Sequence, residues 1–475
     1  MALKVVIGLE MHCELNTKTK VFSKSLNNYN DIPNSSVTAI DLAFPGTLPI
    51  VNKEAVKKAI KMALCLNCKI PEELIFDRKN YYYPDVPKNY QITQNTKPIG
   101  LNGKINVEVN NELVPITIHD IHLEEDTASL DHYFDYSLID YNRSGVPLLE
   151  IVTDPCIYSP EAAVAFLEHL RNIYKYTDCS EADTKKGQIR CDVNVSLKEE
   201  NATELGTKVE VKNVNSFSNV YAAILYEIKR QTELIEAGKN NEIIQETRRW
   251  DEESGATIRM REKVESIDYK YYVDPNIPKI KIEKEWIEEI KSEIPLLPLE
   301  RKTKYIEDYN LSSYDAGVLV KTKEVSDYFE ECLELGMNPK EASNWITSQI
   351  MGYINKYDIE ITDIFLTPKR LLKIINFLNN NTISSKQAKE LFFLVLEEKE
   401  EPEVLIKKYG IEQIVDNEEL LAIIQNIVDN NQSQIEEYKA GKTKVFDYFI
   451  GMIMKETKGK ANPVKVKEIL LSKLK

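Results

Sequence analysis

The stretch Val5-Val6-Ile7-Gly8-Leu9-Glu10-Met11-His12 alternates apolar residues with residues able to grip a metal or a phosphate. Two further stretches follow the same rule: Gln188-Ile189-Arg190-Cys191-Asp192-Val193-Asn194-Val195 and Lys208-Val209-Glu210-Val211-Lys212. In a β-strand, residues two apart share a face. Strand geometry therefore sets Glu10 beside His12, Arg190 beside Asp192 and Asn194, and Lys208 beside Glu210 and Lys212. The intervening Ile7, Leu9, Met11, Ile189, Cys191 and Val193 supply the core side. If the polar faces belong to one sheet, they form a dense acid–base surface. An antiparallel sheet with one solvated face explains any single strand equally well.

Beyond these stretches, the 475 residues exceed one ordinary domain and predict two to four. An apolar content of 43% is ample for sizeable cores. No apolar run approaches the roughly 18 residues of a membrane span. Met1-Ala2-Leu3-Lys4-Val5 runs directly into a strand pattern with no apolar leader. The seven cysteines are scattered; Cys65-Leu66-Asn67-Cys68 has no second pair to complete a zinc site and reads as packing. A cytoplasmic protein is expected. The net charge of −15 argues against a polyanionic partner, but its distribution matters more. Lys439 to Lys475 carries ten lysines against Asp447, Glu456 and Glu468. A basic tail on an acidic body suits a phosphate-bearing polymer, or simply a solvated helix pair.

The first 290 or so residues are rich in strand signals, broken at Pro45-Gly46, Pro84-Asp85, Asn102-Gly103 and Gly145-Val146-Pro147. Helices are predicted near Lys53–Leu66, from Ser159-Pro160-Glu161 to about Tyr174, and near Val220–Ala237. This reads as one large α+β domain with an antiparallel sheet, residues 1–292. Helical spacing then takes over, as in Val325, Tyr328, Phe329, Cys332 and Leu333, and again from Pro339 through Ala342–Thr347. An all-α domain over 293–402 and a small all-α tail over 403–475 are expected, divided by the acidic run Glu397–Glu403.

His122-Leu123-Glu124-Glu125-Asp126 puts three carboxylates together. Burying them uncompensated is costly, and a divalent cation removes that penalty; oxygen-rich ligation suits magnesium. A solvated acidic turn is the plainer reading, weakened by the availability of Glu10, His12, Asp192 and Glu210 from strands. Asp77–Tyr90 combines Arg78, Lys79 and Lys88 with four tyrosines, fit either to stack on a base or to pack on the sheet. Arg248-Arg249-Trp250 and Arg259-Met260-Arg261 form a second basic–aromatic group. There is no G-x-x-x-x-G-K-[ST] loop, G-x-G-x-x-G fingerprint or G-x-S-x-G elbow. A metal-type acidic site without a nucleophile is suited to activating a carboxylate by phosphorylation, with the amine or ammonia coming from elsewhere.

In these motifs the chain resembles the B subunits of aspartyl/glutamyl-tRNA amidotransferases. The resemblance is carried by Gly8–His12, Ala43-Phe44-Pro45-Gly46-Thr47-Leu48-Pro49, Asp77–Tyr81, His122–Asp126, Asp140–Glu150, Arg190–Ser196, Glu210–Phe217 and Lys458-Gly459-Lys460-Ala461-Asn462-Pro463. It implies a cradle domain holding the active site, a helical domain and a tail that reaches tRNA. It implies ATP-dependent phosphorylation of the side-chain carboxylate of Glu-tRNA(Gln) or Asp-tRNA(Asn). Ammonia from a partner amidase subunit then displaces the phosphate, in a heterotrimer with a small C-type subunit. On this footing Glu10, His12, Glu124, Glu125, Asp192 and Glu210 are metal-site candidates, with Mg2+ and ATP as cofactors. Glu125, Lys79 and Arg190 are catalytic candidates, and Lys79, Arg190 and Lys212 nucleotide contacts. Lys88 stands at the ammonia path, and Lys458 and Lys460 contact tRNA.

Three stretches depart from the family pattern: Ala182–Gly187 lacks the usual acidic pair, Lys270–Pro275 replaces a proline-bearing run, and Thr127-Ala128-Ser129 replaces Ala-Gly-Lys. They leave open an alternative, a diverged paralogue acting mainly as a tRNA-binding, partner-docking subunit.

Overall fold

The computed structural model describes residues 3–28, 32–214, 216–262, 268–411, 417–439, 442, 444–457, 461 and 463–474. The chain divides into two compact units, Met1–Arg301 and Lys302–Lys475. The strands that matter in the first unit are β1 (Leu3–Glu14), β2 (Asp77–Asn80), β3 (Tyr90–Thr93), β4 (Gly100–Val109) and β5 (Glu112–Glu125). They continue with β6 (Pro147–Thr153), β7 (Ile189–Glu199), β8 (Val209–Val214), β9 (Glu246–Asp251) and β10 (Ala256–Glu262). Its main helices are α1 (Lys53–Cys65), α2 (Pro160–Tyr176) and α3 (Phe217–Glu236).

Eight of the strands make one sheet in the order β10-β9-β8-β7-β1-β6-β5-β4, while β2 and β3 pair in a separate three-stranded sheet completed by Tyr272–Val273 against β2. The antiparallel expectation holds with one exception. Strands β8 and β9 run parallel, a step that needs a crossover, and α3 supplies it. Ile7, Leu9 and Met11 of β1 share a core with Phe166 and Leu170 of α2 and Ile224 of α3. The helices thus cover one face and leave the other to polar residues. α1 and α2 begin where predicted and α3 begins at Phe217, three residues before the predicted Val220; Asn52, Ser159 and Ser216 side chains accept first-turn backbone N–H groups.

The Asn102-Gly103 break is corrected: both residues lie inside β4. Asn102 takes φ +52°, and a Cβ on Gly103 would come 2.4 Å from Cys68 Sγ and 2.6 Å from the Leu66 carbonyl oxygen. The glycine serves the close approach of the α1 end, not a turn. The turn is at Asn110-Asn111 between β4 and β5, where φ values of +52° and +66° suit a two-residue hairpin.

The second unit is helical. Lys323–Glu334 buries Val325, Tyr328, Phe329 and Cys332, and Asn338 caps the helix Pro339–Trp345. The predicted helical run through Thr347 continues as a π turn, Ile346–Ile350, before resuming at Met351–Tyr357. Apolar side chains here form two clusters, one between Tyr305 and Ile411 and one between Leu420 and Leu474. Lys458 and Lys460 lie outside the described residues. Cys65 and Cys68 are buried and free, as a packing role requires. Among the described residues no helix is long and apolar enough to cross a membrane.

Candidate active site

Sheet register decides which polar side chains meet. Arg190, His12, Glu150 and His122 stand on one line across β7, β1, β6 and β5. Asp192, Glu10, Val152 and Asp120 form the next. Two groups of possible ligands result on the uncovered face. His12, Glu124 and Glu150 bring one ligand atom each within 4.8 Å of one another, and so do Glu10, Asp192 and Glu210.

In the first group, His12 Nε2 lies 3.7 Å from Glu150 Oε2 and 4.0 Å from Glu124 Oε1. Burial alone would drive a proton off His12, but Glu150, Glu124 and Asp192 outweigh it and lift its pKa to about 9. Burial also disfavours the Glu150 carboxylate, yet His12 draws its pKa down to about 2. Burial and the neighbouring Glu150 raise the Glu124 carboxyl. In Lys79, burial works against the ammonium, and Glu124 and Glu150 more than restore it. Its Nζ lies 5.1 Å from the Tyr269 ring centre. Behind Glu150, His122 Nε2 sits 2.9 Å from Asp120 Oδ1 and its Nδ1 3.9 Å from Glu150 Oε2.

In the second group, Asn194 Nδ2 donates to Glu10 Oε1 at 2.9 Å. Lys212 Nζ lies 2.5 Å from Asp192 Oδ2 and 3.2 Å from Glu210 Oε1. Burial opposes this ammonium, but the two carboxylates hold its pKa well above the usual lysine range. Thr247 Oγ1 donates to Glu210 Oε2 at 2.8 Å.

Of the remaining sequence candidates, Arg190 stands opposite His12 on the same line, while Glu125 and Lys88 are placed apart from these groups. Glu125 pairs with Lys88 at 2.7 Å and accepts the Ile92 amide at 2.9 Å. Both line a cavity of about 190 Å3 with Phe22, Asp41, Phe44 and Tyr90. Arg190 is clasped by Asp126, Nη2 to Oδ2 at 2.5 Å, while its buried Nε has no partner among the described residues. The structure therefore brings Glu10, His12, Glu124, Asp192, Glu210, Lys79 and Lys212 onto one face, with Glu125 and Lys88 outside it.

One residue escaped the sequence reading. Glu150 lies in Pro147-Leu148-Leu149-Glu150-Ile151-Val152-Thr153, whose alternation puts it on a face with Leu148 and Val152. That period was there to be read, but only register shows its partner to be His12.

The departures from the family pattern fall on supporting positions. Thr127 and Ala128 offer carbonyl oxygens to Arg143 at 3.0 and 2.9 Å, and the Ala182 carbonyl accepts from Arg171 at 3.1 Å. Asp274 Oδ2 accepts from Arg78 Nε at 2.8 Å.

Residues 5–288 match the family described as GatB/GatE catalytic domain, and residues 327–474 the GatB domain. The chain is 46% identical over 475 residues to the B subunit of the aspartyl/glutamyl-tRNA(Asn/Gln) amidotransferase of Halalkalibacterium halodurans, covering 100% of this chain and 99% of that protein. The same-named protein of Carboxydothermus hydrogenoformans is 44% identical over 476 residues, covering 99% and 98%. That of Geobacillus kaustophilus is 45% identical over 475 residues, covering 100% and 99%. The fold and these matches define a ligase subunit that acts within a complex. The chain belongs to the family of tRNA-dependent amidotransferase B subunits.

Proposed function

We propose that the uncovered sheet face uses ATP to phosphorylate the side-chain carboxylate of Glu-tRNA(Gln), Asp-tRNA(Asn) or both, and that ammonia then displaces the phosphate to give the amide. The observation carrying this reading is the pair of three-ligand groups on one face. The donor chemistry fits divalent cations: one set is all carboxylate and the other adds an imidazole. The carboxylates of Glu150, Glu124 and Asp192 around His12 raise its pKa against the effect of burial, so this site favours positive charge. Glu10, Asp192 and Glu210 would hold one Mg2+, and His12, Glu124 and Glu150 another. Bound there, magnesium supplies positive charge against the negative charge of the transferring phosphoryl group.

The chain's own residues do the positioning. Lys212 holds its ammonium against Asp192 and Glu210, and Glu124 and Glu150 keep Lys79 charged; both would contact phosphate oxygens of the nucleotide. Among the described residues Arg190 Nε has no partner, while Asp126 fixes its guanidinium. The strands fix these side chains on a rigid sheet, which favours alignment over adaptation. Ammonia comes from a partner amidase subunit, with a small third subunit completing a cytoplasmic heterotrimer. Lys88 and Glu125 stand on its path rather than at the metal. Residues 1–292 form the catalytic cradle, 293–402 a helical domain, and 403–475 a tail whose Lys458 and Lys460 contact tRNA.

The test is ATP turnover and amide formation by the assembled enzyme on mischarged tRNA, with free ammonia and with glutamine. Glu150→Ala and Asp192→Ala are expected to abolish both. Full activity in either variant overturns the reading.

A further inference from the structure

The small three-stranded sheet is tied to the end of β5 that carries Glu124. Thr93 Oγ1 of β3 donates to Glu124 Oε2 at 3.0 Å, and Gln91 Nε2 donates to the Glu125 carbonyl at 2.7 Å. Lys79 of β2 stands opposite Gln91 in the register, and Glu124 and Glu150 keep its ammonium charged.

From Lys79 a run of tyrosines leads outward. Its Nζ lies 5.1 Å from the Tyr269 ring centre, and the Tyr271 ring centre lies 6.0 Å beyond that one, at 68°. Tyr81 also meets Tyr269 edge-on, 6.1 Å away at 76°. Rings that meet edge to face brace one another and leave flat faces uncovered. Tyr81 and Tyr269 are half-buried, whereas Tyr271 is 39% exposed.

The backbone is bent to make this run. Lys270 takes φ +47°, a left-handed conformation uncommon outside glycine. Asn80 holds it there: its backbone N–H donates to the Tyr269 carbonyl at 3.0 Å, and its Nδ2 to the Lys270 carbonyl at 2.8 Å. Such strain persists only where the surroundings fix it, and it gathers at ligand sites.

We propose that Tyr269 and Tyr271 seat the terminal base of the aminoacyl-tRNA, with Lys270 against the adjoining phosphate, an inference that rests on the phosphorylation chemistry proposed above. Unpaired strand ends are recognised by stacking their bases on aromatic rings, with cations beside them for the backbone. The run ends in exposed side chains, Tyr271 and Lys270, which suits a strand that arrives from solvent. A base seated there sets its ribose beside Lys79, and the aminoacyl carboxylate is then directed at His12, Glu124 and Glu150. The aromatic seat thus fixes how far the end of the tRNA enters.

The test uses the assembled enzyme, with uncharged tRNA as an inhibitor of amidation, either intact or trimmed of its terminal adenosine. In the wild type, trimming is expected to weaken inhibition about tenfold, toward the low end for one stacked base. Tyr271→Ala, a change at an exposed ring, should erase that difference and raise the KM for mischarged tRNA about tenfold, with the ATP KM within about twofold. Tyr271→Phe keeps the ring and should keep the difference. A trimming effect of equal size in the wild type and Tyr271→Ala overturns the seat, as does its loss in Tyr271→Phe. A rise in the ATP KM alone would give the rings to the nucleotide, and a loss confined to glutamine-dependent amidation would give them to the amidase; both overturn it. Each of these results leaves the phosphorylation reading standing if the wild type consumes ATP with mischarged tRNA. A wild type that consumes none removes that reading itself.

Discussion

His12 and Glu150 face each other across β1 and β6, with Nε2 3.7 Å from Oε2. Neither the sequence neighbours of His12 nor those of Glu150 foretell the meeting, yet it controls the charge of the whole group. Replacing Glu150 by alanine removes a ligand and the main support for protonated His12. Calorimetric Mg2+ titration is expected to show affinity at that site falling about a hundredfold or more. NMR titration should find the His12 pKa moved from about 9 toward the ordinary value. Unchanged affinity would show that the group does not bind the ion.

Cation and proton compete for the same imidazole. With the His12 pKa at about 9 in the cation-free protein, Mg2+ affinity should climb from pH 6.5 to 9 and level off above it. The linked stability runs the other way. The raised pKa contributes stability that is complete below about pH 6.5 and lost as pH rises through about 9. Tm measured over this range, with and without Mg2+, should show the apo protein losing more than the loaded one.

Lys88 and Glu125 form a pair in which both side chains are largely buried, 14% and 6% exposed. Lys88→Met leaves a buried carboxylate without its partner and should cost about 2–3 kcal/mol in urea unfolding, at the low end for buried pairs because some solvent reaches it. Adding Glu125→Gln should recover most of the loss. In activity, Lys88→Met should reduce glutamine-dependent amidation more than ammonia-dependent amidation; an equal loss would sink the assignment to the ammonia path.

Gly103→Ala drives a methyl to 2.4 Å from Cys68 Sγ and 2.6 Å from the Leu66 carbonyl. The backbone contact cannot move aside easily, so a loss of about 2 kcal/mol or more is expected. Cys68→Ala in the same chain should relieve only part of it. A neutral Gly103→Ala would mean that the end of α1 shifts freely.

Burial holds His169 of α2 neutral, with its pKa lowered to about 4. Between about pH 6.5 and 4 the unfolded chain binds the extra proton, so stability falls as pH drops through that window and is unaffected above it. His169→Gln should flatten this part of the urea-midpoint profile between pH 7.5 and 4.5.

The sequence makes local order legible and long-range meeting much less so. Alternation in Val5–His12 and Ile189–Val195 marks both strands and the faces that Glu10, His12, Asp192 and Asn194 occupy. The cap Ser159, followed by Pro160, marks the start of α2 because its hydrogen bond closes within three residues. Register is different in kind. Nothing near Glu150 says that β6 pairs with β1, so its place beside His12 was hidden. Glu124 and Glu125 read as one acidic cluster, but successive strand residues point to opposite sides, and the two separate onto His12 and Lys88. The parallel β8–β9 step was likewise out of reach, since it depends on where α3 returns the chain.

Along the line Arg190–His12–Glu150–His122, four strands contribute one residue each, and the strand period is two. A slip of one residue in β1 would turn His12 and Glu10 into the helix-packed interior and push Met11 and Leu9 out to water. No mispaired form can therefore keep a weakened version of the site. Correct pairing and chemical competence arrive together, so a preparation that has recovered its sheet imperfectly should contain fully working molecules and inert ones, with nothing in between.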